Sequence, residues 1–276
     1  MKKGWKNFWI ACGVTTGVGL ALCCVGIGMG ATFEAINARF PYGIGIVGRG
    51  GYAESGSGTV DADAAEVFSG IQKIDMEVSG IYVEIAESDS NSEVKLETSA
   101  VDSRLKLRYY QEGDELKIET RNSVIWRINN GSYGQITLYL PKYMMEEIDI
   151  SLEAGELCAD MLQARQLSVD IGAGEGTIEQ FSASEADLDC GAGSITASGT
   201  IERELDVDCG IGNVDVTLDG VESLYNYELQ CGIGEITVGD SSYSGISEEK
   251  DMNHHAHREV NIDCGIGEVK IAFGDS

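Results

Sequence analysis

Proline is nearly missing from this 276-residue chain: two residues stand against 36 glycines. Glycine at about 13% without proline enrichment excludes a collagen-like chain and points to many tight turns. Histidine is almost as scarce, with three residues gathered in one short stretch, His254, His255 and His257. That leaves little material for imidazole-based catalysis elsewhere. Positive charge is also short, 19 Lys and Arg against 46 Asp and Glu, for a formal net charge of −27. A field of that sign repels nucleic-acid phosphates and anionic headgroups and excludes an electrostatic role on either.

One region lacks charge of either sign. From Asn7 to Phe33 there is no charged residue, and about 20 residues suffice to cross the hydrocarbon core of a bilayer. Its many glycines are common in spanning helices, and Trp5, Phe8 and Trp9 sit where an interfacial aromatic belt falls. Lys2, Lys3 and Lys6 precede it and place residues 1–6 in the cytoplasm. The sequence therefore predicts a single-pass signal-anchor helix over 7–33, with the rest of the chain extracytoplasmic at the cell membrane. A cleaved signal peptide is the alternative, but its apolar region is usually shorter and a small-x-small site should follow. Lipid modification at Cys23–Cys24 is a third reading, disfavoured by Leu22 before them. Residues 34–69 carry many glycines and an acidic end at Asp61, Asp63 and Glu66, and read as a flexible tether.

What the chain does have is a repeat. LDCGAGSITA (188–197), VDCGIGNVDV (207–216), LQCGIGEITV (229–238) and IDCGIGEVKI (262–271) are copies of one phrase. VDIGAGEGTI (169–178) and SLEAGELCAD (151–160) are weaker copies. The second glycine falls at 155, 174, 193, 212, 234 and 267, so the spacings are 19, 19, 19, 22 and 33. Within each copy apolar and polar residues alternate, as Val214, Val216 and Leu218 do with Asp215, Thr217 and Asp219. Period two means strands with one buried and one wet face. Gly-x-Gly between two such strands is a sharp corner. A unit this short cannot bury its apolar face alone, so copies must stack, with strands about 4.8 Å apart.

The expected fold is all-β, a parallel β-solenoid with coils of about 19–22 residues behind the transmembrane helix. The regular repeats fill 151–276, with an insertion loop at 241–259. Residues 70–150 form a less regular part, with candidate strands at 74–78, 81–86, 93–98, 104–110, 115–120 and 136–141 and a short helical turn at 143–147. An antiparallel sandwich is the alternative for short alternating strands, but it does not explain why one phrase returns in one orientation.

The stretch IDMEVSGIYVEIAESDSNSEVKLE, the later ITLYLPKYMMEEIDISLEAGEL and the glycine-cornered repeats together resemble the adhesin-type β-helix family. This is a domain of unknown function in Gram-positive cell-envelope proteins, related to the LiaG-type membrane-anchored proteins of envelope-stress operons. The resemblance covers about residues 70–273. It implies a β-helix fold and an envelope location, and it brings no catalytic residues with it.

Four features could carry chemistry. Cys190, Cys209, Cys231 and Cys264 occupy the same position of four consecutive coils, which Ile171 and Leu152 fill in the earlier two. That points to buried thiols in an inward ladder; one or two disulfides are the alternative, because stacked Cα atoms come within bridging range. Asp170, Asp189, Asp208 and Asp263 precede that position, and Glu156, Glu175, Glu235 and Glu268 follow the second glycine. Stacked coils would put these carboxylates side by side, either as a solvated acidic face or as a calcium ladder. His254, His255 and His257 could ligate a transition metal, although a polar insertion at a coil corner is more often a bare loop. Tyr109, Tyr110, Trp126, Tyr133, Tyr139 and Tyr143 could stack on carbohydrate or could close the wider end of the core.

No cofactor is required by the sequence, calcium being the one candidate. The pattern favours a non-enzymatic membrane-anchored module for interaction, adhesion or envelope stress, with a protein or cell-wall partner and no nucleic acid. Two alternatives stand beside it: a polysaccharide-active enzyme, since paired carboxylates cleave glycosidic bonds, and a calcium-dependent scaffold growing from an uncapped last coil.

Overall fold

The computed structural model describes residues 64–121 and 134–274, the side chains of 245–248 excepted. The cytoplasmic flank expected at 1–6, the anchor expected over 7–33 and most of the expected tether lie outside the described residues. Among the described residues no helix is long and apolar enough to cross a membrane.

The described chain is all-β. Its first eight strands are β1 (Ala64–Ser69), β2 (Lys73–Val78), β3 (Ile81–Glu87), β4 (Glu93–Ser99), β5 (Leu107–Glu112), β6 (Glu115–Thr120), β7 (Gln135–Leu140) and β8 (Met145–Leu152). Then come β9 (Gly155–Asp219), β10 (Tyr225–Val238), β11 (Ser241–Met252) and β12 (Arg258–Gly274). Alternation dictates burial: Ile74, Met76 and Val78 of β2 point inward and are at most 1% exposed, as are Val214, Val216 and Leu218 of β9. Each such side chain contributes roughly 1.5–3 kcal/mol on burial.

The repeats stack in parallel and in register. β8 pairs with β9 so that Leu152 stands opposite Ile171, and β2 pairs with β8 so that Val78 stands opposite Leu152. β9 pairs with β12, Cys209 against Cys264, and β12 with β10, Cys264 against Cys231. The solenoid-like arrangement expected of the repeat is thus present in the pairing itself.

Glycine at the corner is required by contact. A Cβ added at Gly174 would lie 1.9 Å from the carbonyl oxygen of Gly155, and one added at Gly193 would lie 1.9 Å from that of Gly174. The same collision links Gly212 to Gly193 at 2.0 Å, Gly267 to Gly212 at 1.9 Å and Gly234 to Gly267 at 2.1 Å. Successive corners rest backbone on backbone, and any side chain would force them apart.

That series also reveals an order different from the chain's. The coil of β12 lies between the last coil of β9 and β10, so the thiol row runs Cys190, Cys209, Cys264, Cys231. The sequence suggested plain consecutive stacking. The reason lies in the insertion, which is mostly strand: β11 folds back antiparallel on β10, Val238 opposite Ser241 and Tyr227 opposite Met252. With β11 on one edge of β10, only the inner edge is left for the next coil. Residues 253–257 strap over the start of β10 to reach it. Asn226 pins the strap, its Oδ1 accepting from the backbone N–H of His254 at 3.0 Å and of Ala256 at 3.1 Å. Where it lands, β12 puts Lys270 opposite Asp215, and Asn261 donates to Asp206 at 2.8 Å and Glu204 at 3.0 Å. Glu228 is the residue of β10 in the Asn261 row, so direct pairing of β10 with β9 would set a carboxylate there. The stack therefore does not end in a bare coil; β11 covers it.

The less regular part differs in smaller ways. Residues 64–69, read as tether, form β1, antiparallel to β4. The expected strand at 104–110 begins with a 3-10 turn at Ser103–Leu105 and continues as β5. The helical turn expected at 143–147 is not formed: β8 begins at Met145, which stands opposite Ala164 of β9, and Glu147 stands opposite Gln166. Here β4 pairs antiparallel with β7 and β5 with β6.

Candidate interaction surface

The inward ladder holds the cysteines. Cys190, Cys209, Cys264 and Cys231 are all buried and none forms a disulfide. Burial pushes the Cys190 thiol up to about 11 and the Cys264 thiol up to about 12. These are apolar fillers of the core, poorly suited to nucleophilic or metal-binding work, which needs the thiolate.

The outward positions beside them hold the acids. Asp263 stands opposite Asp208 on adjacent strands, and Asp170 stands opposite Ser151, whose hydroxyl lies 3.5 Å from its carboxylate. Gln230 takes the place of the acid in β10, opposite Asp263. A second row, two residues earlier, was not singled out from the sequence: Asp75 opposite Asp149, then Ser168, and further on Asp187 and Asp206. The signal was available, since Asp187 and Asp206 repeat the 19-residue spacing. Glu147, Asp149, Glu185, Asp187, Glu204 and Asp206 line a shallow groove of about 340 Å³.

Desolvation, then the neighbouring carboxylates Asp206, Asp208, Asp189 and Asp170, pushes Asp187 up to about 6. Asp149, Asp189, Asp208 and Asp263 are pushed upward too, each mainly by desolvation. Among the described residues no group of three or more His, Cys, Asp or Glu is placed to hold a metal ion. The row Asp170, Asp189, Asp208 and Asp263 runs along the face without gathering into a cage.

Of the three histidines, His254 holds the strap with its ring. His254 Nδ1 lies 2.9 Å from the carbonyl oxygen of Tyr225, and its ring stands edge-on to Tyr227 at 5.8 Å. His255 and His257 are exposed. The aromatics at the other end close the core: Tyr109 meets Phe68 edge-on at 6.2 Å, and Tyr143 donates to the carbonyl of Ile71. Trp126 and Tyr133 lie outside the described residues.

Across the corner from the aspartates, Glu235 stands opposite Glu268, and Glu268 opposite Asn213. Between the two acidic rows runs an apolar line that the sequence reading passed over. Ile211, Ile266 and Ile233, the middle residues of three Gly-Ile-Gly corners, are 61%, 51% and 60% exposed. They are register partners on neighbouring strands.

These features define an all-β domain whose chemistry is displayed along the outer surface of a rigid stack. The chain belongs to the Toastrack DUF4097 family, whose profile matches residues 71–272. No curated protein matches it. Among solved structures it is similar to a proposed cell adhesion protein from Clostridium sporogenes, at 16% identity, over 76% of this chain and 99% of that one, with a TM-score of 0.45. A proposed adhesin from Bacteroides fragilis is 14% identical over 77% of this chain and 98% of that one, with a TM-score of 0.35. A proposed lipid-binding protein from Parabacteroides distasonis is 17% identical over 75% of this chain and 97% of that one, with a TM-score of 0.30.

Proposed function

We propose that this protein is a non-enzymatic, membrane-anchored interaction module of the cell envelope, displaying its stack outside the membrane for adhesion or stress-associated recognition. The observation that carries the reading is the run of outward carboxylates on adjacent coils, raised in pKa first by partial burial and then by one another. Like charges so placed oppose folding modestly, so their presence is better explained by what the surface meets than by what holds it together. The uncharged run 7–33 supports the anchor and the lysines before it support the outward orientation.

Two measurements test this. Protease added outside intact cells should remove the domain while a tag at residue 1 stays protected; the reverse pattern overturns the orientation. Cross-linking in cells from a photoreactive residue at position 189 should give one discrete adduct, and a smear equal to that of an unrelated surface position overturns the recognition role.

A carbohydrate-active enzyme is supported by one observation alone, the carboxylate-lined groove. The even spacing of its acids sets no pair apart as acid and nucleophile. Hydrolysis of a wall-glycan panel, abolished by Asp187→Asn, would favour that reading. Calcium-dependent assembly is checked by light scattering with and without the ion.

A further inference from the structure

We infer that the isoleucine ridge of the last three coils is a docking surface for a cationic amphipathic helix of a partner protein. This rests on reading the domain as an interaction module and names what one of its faces takes.

The ridge is not a by-product of folding. The corner position filled by Ile211, Ile266 and Ile233 is Ala154, Ala173 and Ala192 in the earlier copies, and those corners close equally well on the same glycine contacts. The inward face is already filled by its own ladder, down to Val214, Ile236 and Val269 at 0% exposure. Three large β-branched side chains exposed in a line therefore contribute little to the core and leave an apolar strip in water.

The chemistry of the flanks selects the occupant. Asp208 and Asp263 stand on one side of the ridge, Glu235 and Glu268 on the other, and among the described residues no ion pair reaches any of the four. An anionic lipid surface or a second copy of this chain brings like charge to both flanks. An uncharged apolar partner would strip water from the carboxylates without replacing it. A helix with a narrow apolar stripe and lysine or arginine on both shoulders meets all three strips together. The lengths agree: three rungs span about 10 Å, and residues i, i+4 and i+7 of a helix span about 10.5 Å.

The test uses the full chain in neutral-lipid nanodiscs and a labelled synthetic peptide of about four helical turns, leucine on one stripe and lysine on its shoulders. A scrambled peptide of the same composition is the comparison, with empty nanodiscs subtracted. The striped peptide should bind about tenfold more tightly than the scrambled one. The triple change Ile211→Ser, Ile233→Ser, Ile266→Ser should erase that advantage with Tm unchanged. Neutralising Asp208, Asp263, Glu235 and Glu268 to their amides should weaken both peptides. Equal binding of the two peptides, or an advantage that survives the triple change, overturns the inference. In cells, a cross-linked partner retained by the triple variant removes the ridge and leaves the module standing. Absence of any partner from both proteins removes the module and the ridge with it.

Discussion

The irregular first part of the domain and the regular coils after it treat charge in opposite ways. Seven of the eight ion pairs among the described residues join groups within 73–147, among them Lys73–Glu147 at 2.8 Å, Lys117–Asp75 at 3.0 Å and Arg108–Glu119 at 3.1 Å. The coils hold one, Arg203–Glu185. In the first part acids sit beside bases on neighbouring strands, and Asp102 is held down to about 2 by the Arg104 guanidinium. In the coils acids sit beside acids, and their pKa values rise. The coils are therefore held by inward ladders and close backbone stacking against an outward repulsion, whereas in the first part bases offset much of it, as Lys117 does beside Asp75, which stands opposite Asp149.

The sharpest way to break this contrast is at the corners. Gly174 has φ +150°, and an added Cβ would meet the Gly155 carbonyl oxygen at 1.9 Å. Gly113, in the turn between β5 and β6, has φ +68° and open space around it. Gly174→Ala should cost about 4 kcal/mol or more, or prevent folding, since backbone must move against backbone. Gly113→Ala pays only for the left-handed conformation, about 1 kcal/mol. Thermal melts of the two variants check this, and a Gly174→Ala protein as stable as Gly113→Ala would mean the corners are not in contact.

Acidification should separate the two regions next. A carboxyl whose pKa is higher in the folded chain holds its proton more tightly there, so stability falls as pH rises between the unfolded and folded values. For Asp187 that window runs from the ordinary 3.8 to about 6, and Asp149, Asp189, Asp208 and Asp263 shift the same way. Asp102 has the opposite sign: its contribution is present above 3.8 and is lost as pH falls towards 2. Glu97, lowered by Lys95, follows it. Tm should therefore rise by a few degrees from about pH 7 to about pH 5 and turn down below about pH 4. Asp187→Asn should raise Tm at neutral pH and shrink the rise. A flat or falling Tm over the upper interval would show the carboxylates to be fully solvated.

The contrast also explains what could be read in advance. Repetition made the coils legible: one phrase returning with one hydrophobic phase fixes strand, corner and inward ladder together, down to Cys190 succeeding Ile171. Stacking order was not legible, because LQCGIGEITV and IDCGIGEVKI carry the same corner and the same inward pattern, and the charges that separate them are few. What chose between them was the pairing of β11 with β10, in a segment whose polar composition resembles a loop. The charge pairing of the first part depends on which strands become neighbours across antiparallel turns, and no local spacing states that. The ridge is present in the sequence as three Gly-Ile-Gly corners, but apolar residues alone do not state which way a corner residue faces.

A smaller effect tests whether the thiols are packing alone. Val78, Leu152 and Ile171 share the ladder with the cysteines, so the site accepts branched aliphatic side chains. Cys264→Val should change stability by less than about 1.5 kcal/mol. In the native protein the ladder thiols should resist alkylation, read by mass spectrometry of peptides, and react once unfolded. Rapid labelling of Cys264 in the folded state would show that the coils open locally.

The least effect is expected where charges are best paired. Lys142 and Glu87 lie 2.7 Å apart with side chains 54% and 45% exposed, and an exposed pair gains little in high dielectric while ordering two long side chains. Lys142→Ala should change stability by less than about 0.5 kcal/mol, and the change should vanish in high salt. Ser168→Lys is the informative counterpart, because Ser168 stands opposite Asp149 in the row that leads on to Asp187. A base placed there faces uncompensated carboxylates and should stabilise the coils by more than Lys142→Ala costs the first part. Equal effects from the two changes would mean that the acids of the coils are screened as well as those already paired, and that the two regions differ in charge pattern without differing in energy.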